Sequence, residues 1–228
     1  MPPALLLDLD GTLTDPREGI VRCIQYALQR LARPCPPEEV LAACIGLPLR
    51  RTFETLLATP EPVAVEQAMA LYRERFAEVG LFENTVYEAI PGALDDLGRL
   101  GHRMFVATSK AAVFAERIVR HFGLARHLAG IYGPSLEGRL DDKAELLAHL
   151  LAVERLSRHD AVMIGDREID VTAARANGVR SIGVLWGYGS REALLAAGAD
   201  VLCTAPVELT ACLARLEEAG GSRAATSR

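Results

Sequence analysis

LLLDLDGTLTD, residues 5–15, carries three leucines into two aspartates and then into Gly11 and Thr12, with a third acid at Asp15. An apolar run without alternation is what a strand buried on both faces of a sheet shows. Side chains two positions apart on a strand share a side, so Asp8 and Asp10 leave the strand facing the same space. Two carboxylates brought together repel unless a cation resides with them. Mg²⁺ answers that need, because it prefers carboxylate oxygens, water and substrate phosphate in octahedral geometry.

Outward from this segment the chain alternates apolar runs with amphipathic stretches. ALLLDLD (4–10), RMFVAT (103–108), GIYG (130–133), AVMIG (161–165), SIGVLW (181–186) and DVLC (200–203) read as strands. Between them AAVFAERIVRHFG, DKAELLAHLLAVERL and DVTAARANG have helical spacing, the first and last closed by the glycine that a helix C-terminus favours. Such alternation predicts an α/β fold, an open parallel sheet with right-handed crossovers and helices on both faces. Residues 16–90 break the pattern. No strand is expected there; GIVRCIQYALQRL, PPEEVLAACIG, LRRTFETLLA and VEQAMALYRERFAEVG read as four helices, punctuated by prolines at 34–37 and 60–62. The expected division is a core of 1–15 and 91–218, an inserted helical bundle at 16–90, and a mobile tail at 219–228, where AGGSRAATSR offers few core residues.

Composition bounds the partners. The 228 residues are half hydrophobic and 24% charged with a net charge of −5, which disfavours a nucleic acid polymer or an anionic membrane surface. No apolar run is long enough to span a bilayer, and the segment after Met1 reads as a strand and not a signal peptide. Five cysteines without a C-x-x-C spacing suggest neither a disulfide framework nor a thiolate metal site, so a cytoplasmic setting is expected. The chain has two lysines, Lys110 and Lys143, against twenty-three arginines. Where arginine is so favoured, a retained lysine marks a place for a compact ammonium in preference to a planar fork.

In open parallel sheets ligands bind beyond the carboxyl ends of the strands. The ends here carry Asp8 and Asp10, then Thr108 and Ser109, then Asp166 with Asp170 a helical turn later; Lys143 opens the helix before the fourth strand. Asp166 is the expected third Mg²⁺ ligand. Any one of these aspartates could merely cap a helix or turn; the set together points to one crevice.

DLDGTLTD, VATSK, DDK and GDREID resemble, in order and strand context, the four motifs of the haloacid dehalogenase-like hydrolase superfamily. The likeness covers residues 4–205. The helical insertion resembles the cap of its phosphoglycolate phosphatase-like branch, and stretches such as MIGDREID and ARANGVRSIGVLWGYGS are similar to a subgroup labelled 5′-nucleotidase-like. The resemblance implies a Rossmann-like core with an α-helical cap and a Mg²⁺-dependent phosphatase acting on a small phosphorylated metabolite, as a monomer or homodimer. It implies Asp8 as the nucleophile that forms an aspartyl-phosphate, Asp10 as general acid and base, Thr108 as a donor to the phosphoryl group and Lys143 as its counter-charge. It places the metal among Asp8, Asp10, Asp166 and Asp170. Ser109 stands where phosphoglycolate phosphatases often have asparagine. Lys110 could meet the leaving group or face solvent. Arg50 and Arg51, beside the shaped loop of Gly46 and Pro48, could recognise the substrate or be a solvated helix start. Trp186 and Tyr188 could pack the core edge or line the site, core packing being the expectation. A phosphosugar mutase of the β-phosphoglucomutase type shares the same catalytic core and stays open, as does a non-enzymatic module binding phosphate ligands. A dehalogenase is disfavoured because Asp10 is present. A phosphonatase is disfavoured because no lysine lies between 16 and 90.

Overall fold

The computed structural model describes residues 2–58 and 61–225, and of 219–225 the helical backbone alone. Strand β1 (Ala4–Leu7) is fully buried. Its residues alternate between two cores. Leu5 and Leu7 pack with the larger one, which continues into the helical cap, while Ala4 and Leu6 join Phe105, Met163 and Leu147 on the other face. That division follows from the two-residue period of a strand and explains why no polar residue interrupts ALLL.

After β1 comes a two-residue strand β2 (Thr14–Asp15), then the cap helices α1 (Arg17–Arg30), α2 (Glu38–Ala42), α3 (Leu49–Leu56) and α4 (Pro62–Arg75), and a two-residue strand β3 (Thr85–Val86). The core resumes with α5 (Ile90–Arg99), β4 (Met104–Ala107), α6 (Ala112–His121), β5 (Gly130–Tyr132), α7 (Lys143–Val153), β6 (Ala161–Gly165), α8 (Glu168–Ala176), β7 (Arg180–Val184), α9 (Arg191–Ala197), β8 (Val201–Cys203) and α10 (Leu209–Ala225). Six strands form one parallel sheet in the order β5-β4-β1-β6-β7-β8. The chain runs outward from β1 to β4 and β5, then returns to start β6 on the other side. The reversal of direction therefore falls at β1, where an open sheet leaves a crevice.

Two expectations change. Residues 16–90 do contain a strand: β3 pairs antiparallel with β2, Thr14 opposite Val86 and Asp15 opposite Thr85, so the two passages between core and cap are zipped together. Two residues are too few for a period-2 pattern to show. The fourth cap helix is in two parts, because α4 gives way to a π-helical turn at Phe76–Gly80. Gly80 lies there against Gly19 of α1, whose absent Cβ would fall 2.0 Å from the Gly80 carbonyl oxygen. The tail expected at 219–228 continues α10 to Ala225, and 226–228 lie outside the described residues. Among the described residues no helix is long and apolar enough to cross a membrane.

Candidate active site

Each candidate side chain is delivered by the turn that ends a strand or begins a helix. Asp8 follows β1, and its backbone N–H donates to the Ile164 carbonyl at 2.9 Å, extending the ladder one residue past the strand. The chain then turns at Gly11, whose φ of +87° favours glycine and whose Cβ, if present, would lie 2.2 Å from Asp166 Oδ2. Lys143 is the first residue of α7. Asp142 caps that helix, accepting from Ala144 N at 2.8 Å and Glu145 N at 2.9 Å, and so aims Lys143 inward. Asp170 sits at the third position of α8, where its Oδ2 accepts from Arg167 N at 2.9 Å and its Oδ1 faces Lys143.

The ammonium of Lys143 stands 3.0 Å from Asp8 Oδ1 and pairs also with Asp170, all three side chains being buried. Burial alone would lower the Lys143 pKa; the Asp170 and Asp8 carboxylates outweigh it and hold the amine charged. Asp8, Asp166 and Asp170 each bring a carboxylate oxygen within 4.8 Å of the others. Burial, then Asp170 and Asp8, push the Asp166 pKa up to about 8. Burial, with Asp8 adding to it, pushes Asp170 up to about 6 despite Lys143. Three buried acids against one ammonium leave negative charge uncompensated, and Asp8 Oδ1 and Asp170 Oδ1 have no hydrogen-bond partner beyond those ion pairs. Hard oxygen donors with spare lone pairs and excess negative charge fit a Mg²⁺ ion.

Asp10 has a separate partner. Its side chain is not in that cluster: Oδ2 pairs with Lys110 Nζ at 2.8 Å. Strand alternation places two side chains on one side, but it does not choose their partners. Of the two settings left open for Lys110, facing solvent is not the one found, since its side chain is buried. Burial raises the Asp10 pKa against the pull of Lys110.

Thr108 is buried at the end of β4 and accepts from Lys110 N at 3.2 Å. Ser109 Oγ is buried without a hydrogen-bond partner. Both border a cavity of about 880 Å³, open mouth included, that begins at Asp8 and Asp10 and rises between core and cap. Gly46–Leu49 border it from the cap, and the preceding Ile45 is tied to the core by Arg167, which donates to the Ile45 carbonyl at 2.5 Å. Arg50 reaches the cavity but pairs with Glu66 and is 44% exposed. Arg51 is exposed and is not among the residues that border it. No histidine borders the cavity among the described residues.

Sequence reasoning missed several residues. Arg73 of α4 lines the cavity, with no carboxylate in ion-pair contact among the described residues. Phe76 lines it from the π-helical turn. Trp186 and Tyr188 are more than edge packing. Trp186 Nε1 donates to the Thr12 carbonyl at 3.0 Å, and Tyr188 N donates to Asp166 Oδ2 at 2.8 Å while its hydroxyl donates to Asp15. The loop after β7 thus clamps the turn after β1 and orients Asp166. The signal was the glycine-flanked GYG, where Gly187 and Gly189 let the backbone approach Asp166.

A parallel sheet whose central strands end in an acid cluster, with a lysine against two of the acids and a helical lid above, defines a capped α/β enzyme. The chain belongs to the haloacid dehalogenase-like hydrolase family, which residues 5–184 match. Among curated proteins it is 48% identical over 194 residues to a 5′-nucleotidase of Pseudomonas aeruginosa, covering 85% of this chain and 87% of that one. It is 37% identical to the tyrosine-protein kinase PtkA of Mycobacterium tuberculosis, over 96% of this chain and 73% of that one. Among solved structures, a predicted phosphatase from Clostridium acetobutylicum superposes with a TM-score of 0.89 at 37% identity, covering 96% of this chain and all of the other.

Lys143→Arg tests the choice of cation. An arginine keeps the charge but brings a longer planar fork into a space where Nζ already meets Asp8 and Asp170. The expected result is a kcat lowered by roughly 10²–10³-fold, as for loss of one preorganised electrostatic partner, with KM moved far less. Steady-state kinetics on any accepted phosphate ester reads it.

Proposed function

We propose that this hydrolase removes the phosphoryl group from a small phosphomonoester, of the nucleoside 5′-monophosphate or phosphoglycolate type, through an aspartyl-phosphate on Asp8. The observation that carries the reading is Asp8 at the floor of the cavity, 3.0 Å from the buried Lys143 ammonium and beside Asp166 and Asp170. Asp8 attacks phosphorus while the bond from phosphorus to the leaving oxygen breaks, and Asp10 gives that oxygen its proton. In the second half Asp10, now ionised, takes a proton from water. That water attacks phosphorus, releasing phosphate and freeing the Asp8 carboxylate. Thr108 and Ser109 stand where hydroxyl groups can donate to phosphoryl oxygens, and Lys143 neutralises charge that builds on them. Asp8, Asp166 and Asp170 would hold Mg²⁺, which when bound would supply further charge neutralisation to the phosphoryl group.

The division into a core of 1–15 and 91–218 and a cap of 16–90 belongs to this reading, with the cap excluding water; so do a cytoplasmic setting and action as a monomer or homodimer. The 5′-nucleotidase relative supports the nucleotide side of the substrate class.

The test is a panel of phosphomonoesters, including nucleoside 5′-monophosphates, phosphoglycolate and small sugar phosphates, assayed for released phosphate with Mg²⁺. Turnover with phosphate released to water is expected. Isomerisation of glucose 1-phosphate without phosphate release, transfer of phosphate to tyrosine in place of water, or no turnover on any ester would contradict the proposal.

A further inference from the structure

We infer that Lys110 is the positioning residue of Asp10, and that the cap takes part in this role through the aromatic face of Phe76. The inference rests on the reading of Asp10 as general acid and base. Lys110 Nζ lies 2.8 Å from Asp10 Oδ2, with the two side chains 7% and 9% exposed. On its other side the ammonium stands 4.4 Å from the centroid of the Phe76 ring, within range of a cation–π contact. The ring is itself fixed. It stacks on Tyr72 of the cap with centroids 5.3 Å apart and planes at 14°, and meets the edge of Phe114 of the core at 5.3 Å and 73°. The ammonium is therefore confined between a carboxylate and an aromatic face that is wedged between both parts of the molecule.

The backbone beneath it is fixed as well. Lys110 N donates to Thr108 Oγ1, and Gly133 packs so closely that a Cβ there would lie 2.3 Å from the Lys110 carbonyl oxygen. With Asp10 Oδ2 held, Asp10 Oδ1 is left buried and without a hydrogen-bond partner, on a residue that borders the cavity. One oxygen is anchored and the other is the one available to carry the transferred proton. Lys110 also borders the cavity, and its compact head suits the space between Asp10 and Phe76, where an arginine does not stand in an arginine-rich chain.

The experiment compares single-turnover rates on an alkyl phosphate, whose leaving oxygen needs a proton, with those on p-nitrophenyl phosphate, whose leaving group does not. Lys110→Met and Asp10→Asn are each measured alone and together; Phe76→Leu, which keeps apolar bulk but removes the π face, is measured beside them. Lys110→Met is expected to slow alcohol release by about 10–10²-fold, part of a general acid's usual contribution. Nitrophenolate release should stay within about threefold and KM should not change for either ester. Phe76→Leu should move the same ratio in the same direction by a smaller factor. The double variant should be no slower than Asp10→Asn, since both act on one step. Because Phe76 is buried, Lys110→Met carries the test if Phe76→Leu does not fold. A KM that rises for one ester, an equal loss on both, or additive losses in the double variant would overturn the inference. If Asp10→Asn itself shows no preference between the esters, the reading of Asp10 fails. If it does and Lys110→Met does not, only the role of Lys110 fails.

Discussion

Asp8→Asn is expected to abolish turnover, with a loss of about 10⁴-fold or more, as when the nucleophile of a covalent mechanism is removed. The amide keeps the shape of the side chain and cannot attack phosphorus. The fold should survive the change, because the substitution removes one of three carboxylates crowded within 4.8 Å of one another. Thermal unfolding of the metal-free variant is therefore expected at the same temperature as the parent or higher. Loss of activity with an unchanged or raised melting temperature separates a chemical role for Asp8 from a structural one.

Removal of divalent cations is the second large effect. Excess chelator is expected to lower activity by about 10³-fold or more and added Mg²⁺ to restore it, since the metal supplies charge that Lys143 alone does not. Ca²⁺ should not substitute, because it takes more ligands in looser geometry. Stability gives a readout that needs no substrate. In the metal-free protein burial and the neighbouring carboxylates push Asp166 up to about 8 and Asp170 up to about 6, above the ordinary 3.8. A carboxyl whose folded pKa is raised binds its proton more tightly in the folded state than in the unfolded one. Its contribution is full below the unfolded value and is lost as pH rises through the folded value. Metal-free protein should thus lose stability between about pH 4 and pH 8, and Mg²⁺ should recover most at the upper end of that range. A melting temperature flat with pH and unmoved by Mg²⁺ would count against a cation among Asp8, Asp166 and Asp170.

How much was legible in the sequence depended on whether a residue's place follows from its own strand. Asp8, Thr108 and Asp166 sit at the ends of apolar runs, and Lys143 and Asp170 at helix starts, so local pattern placed them at one edge of one sheet. Partnership was not legible. Asp10 shares a side with Asp8, yet it pairs with Lys110, because the turn after β4 brings that lysine 2.8 Å away. The cap was legible as helices, but not the π-helical turn that presents Phe76 to Lys110, since a helical period does not reveal where the turn widens. Arg50 and Arg51 look alike in sequence. One lines the cavity and the other does not, a difference set by rotation about α3. The β2–β3 ribbon is two residues wide, below what alternation can signal.

The central claim is that phosphate passes through a covalent bond to Asp8. The stereochemical course at phosphorus tests it most directly, using a phosphorothioate ester made chiral with oxygen isotopes and hydrolysed in labelled water. Attack by Asp8 followed by attack of water inverts the centre twice, so the account predicts net retention. Net inversion, the signature of direct attack by water, would contradict it.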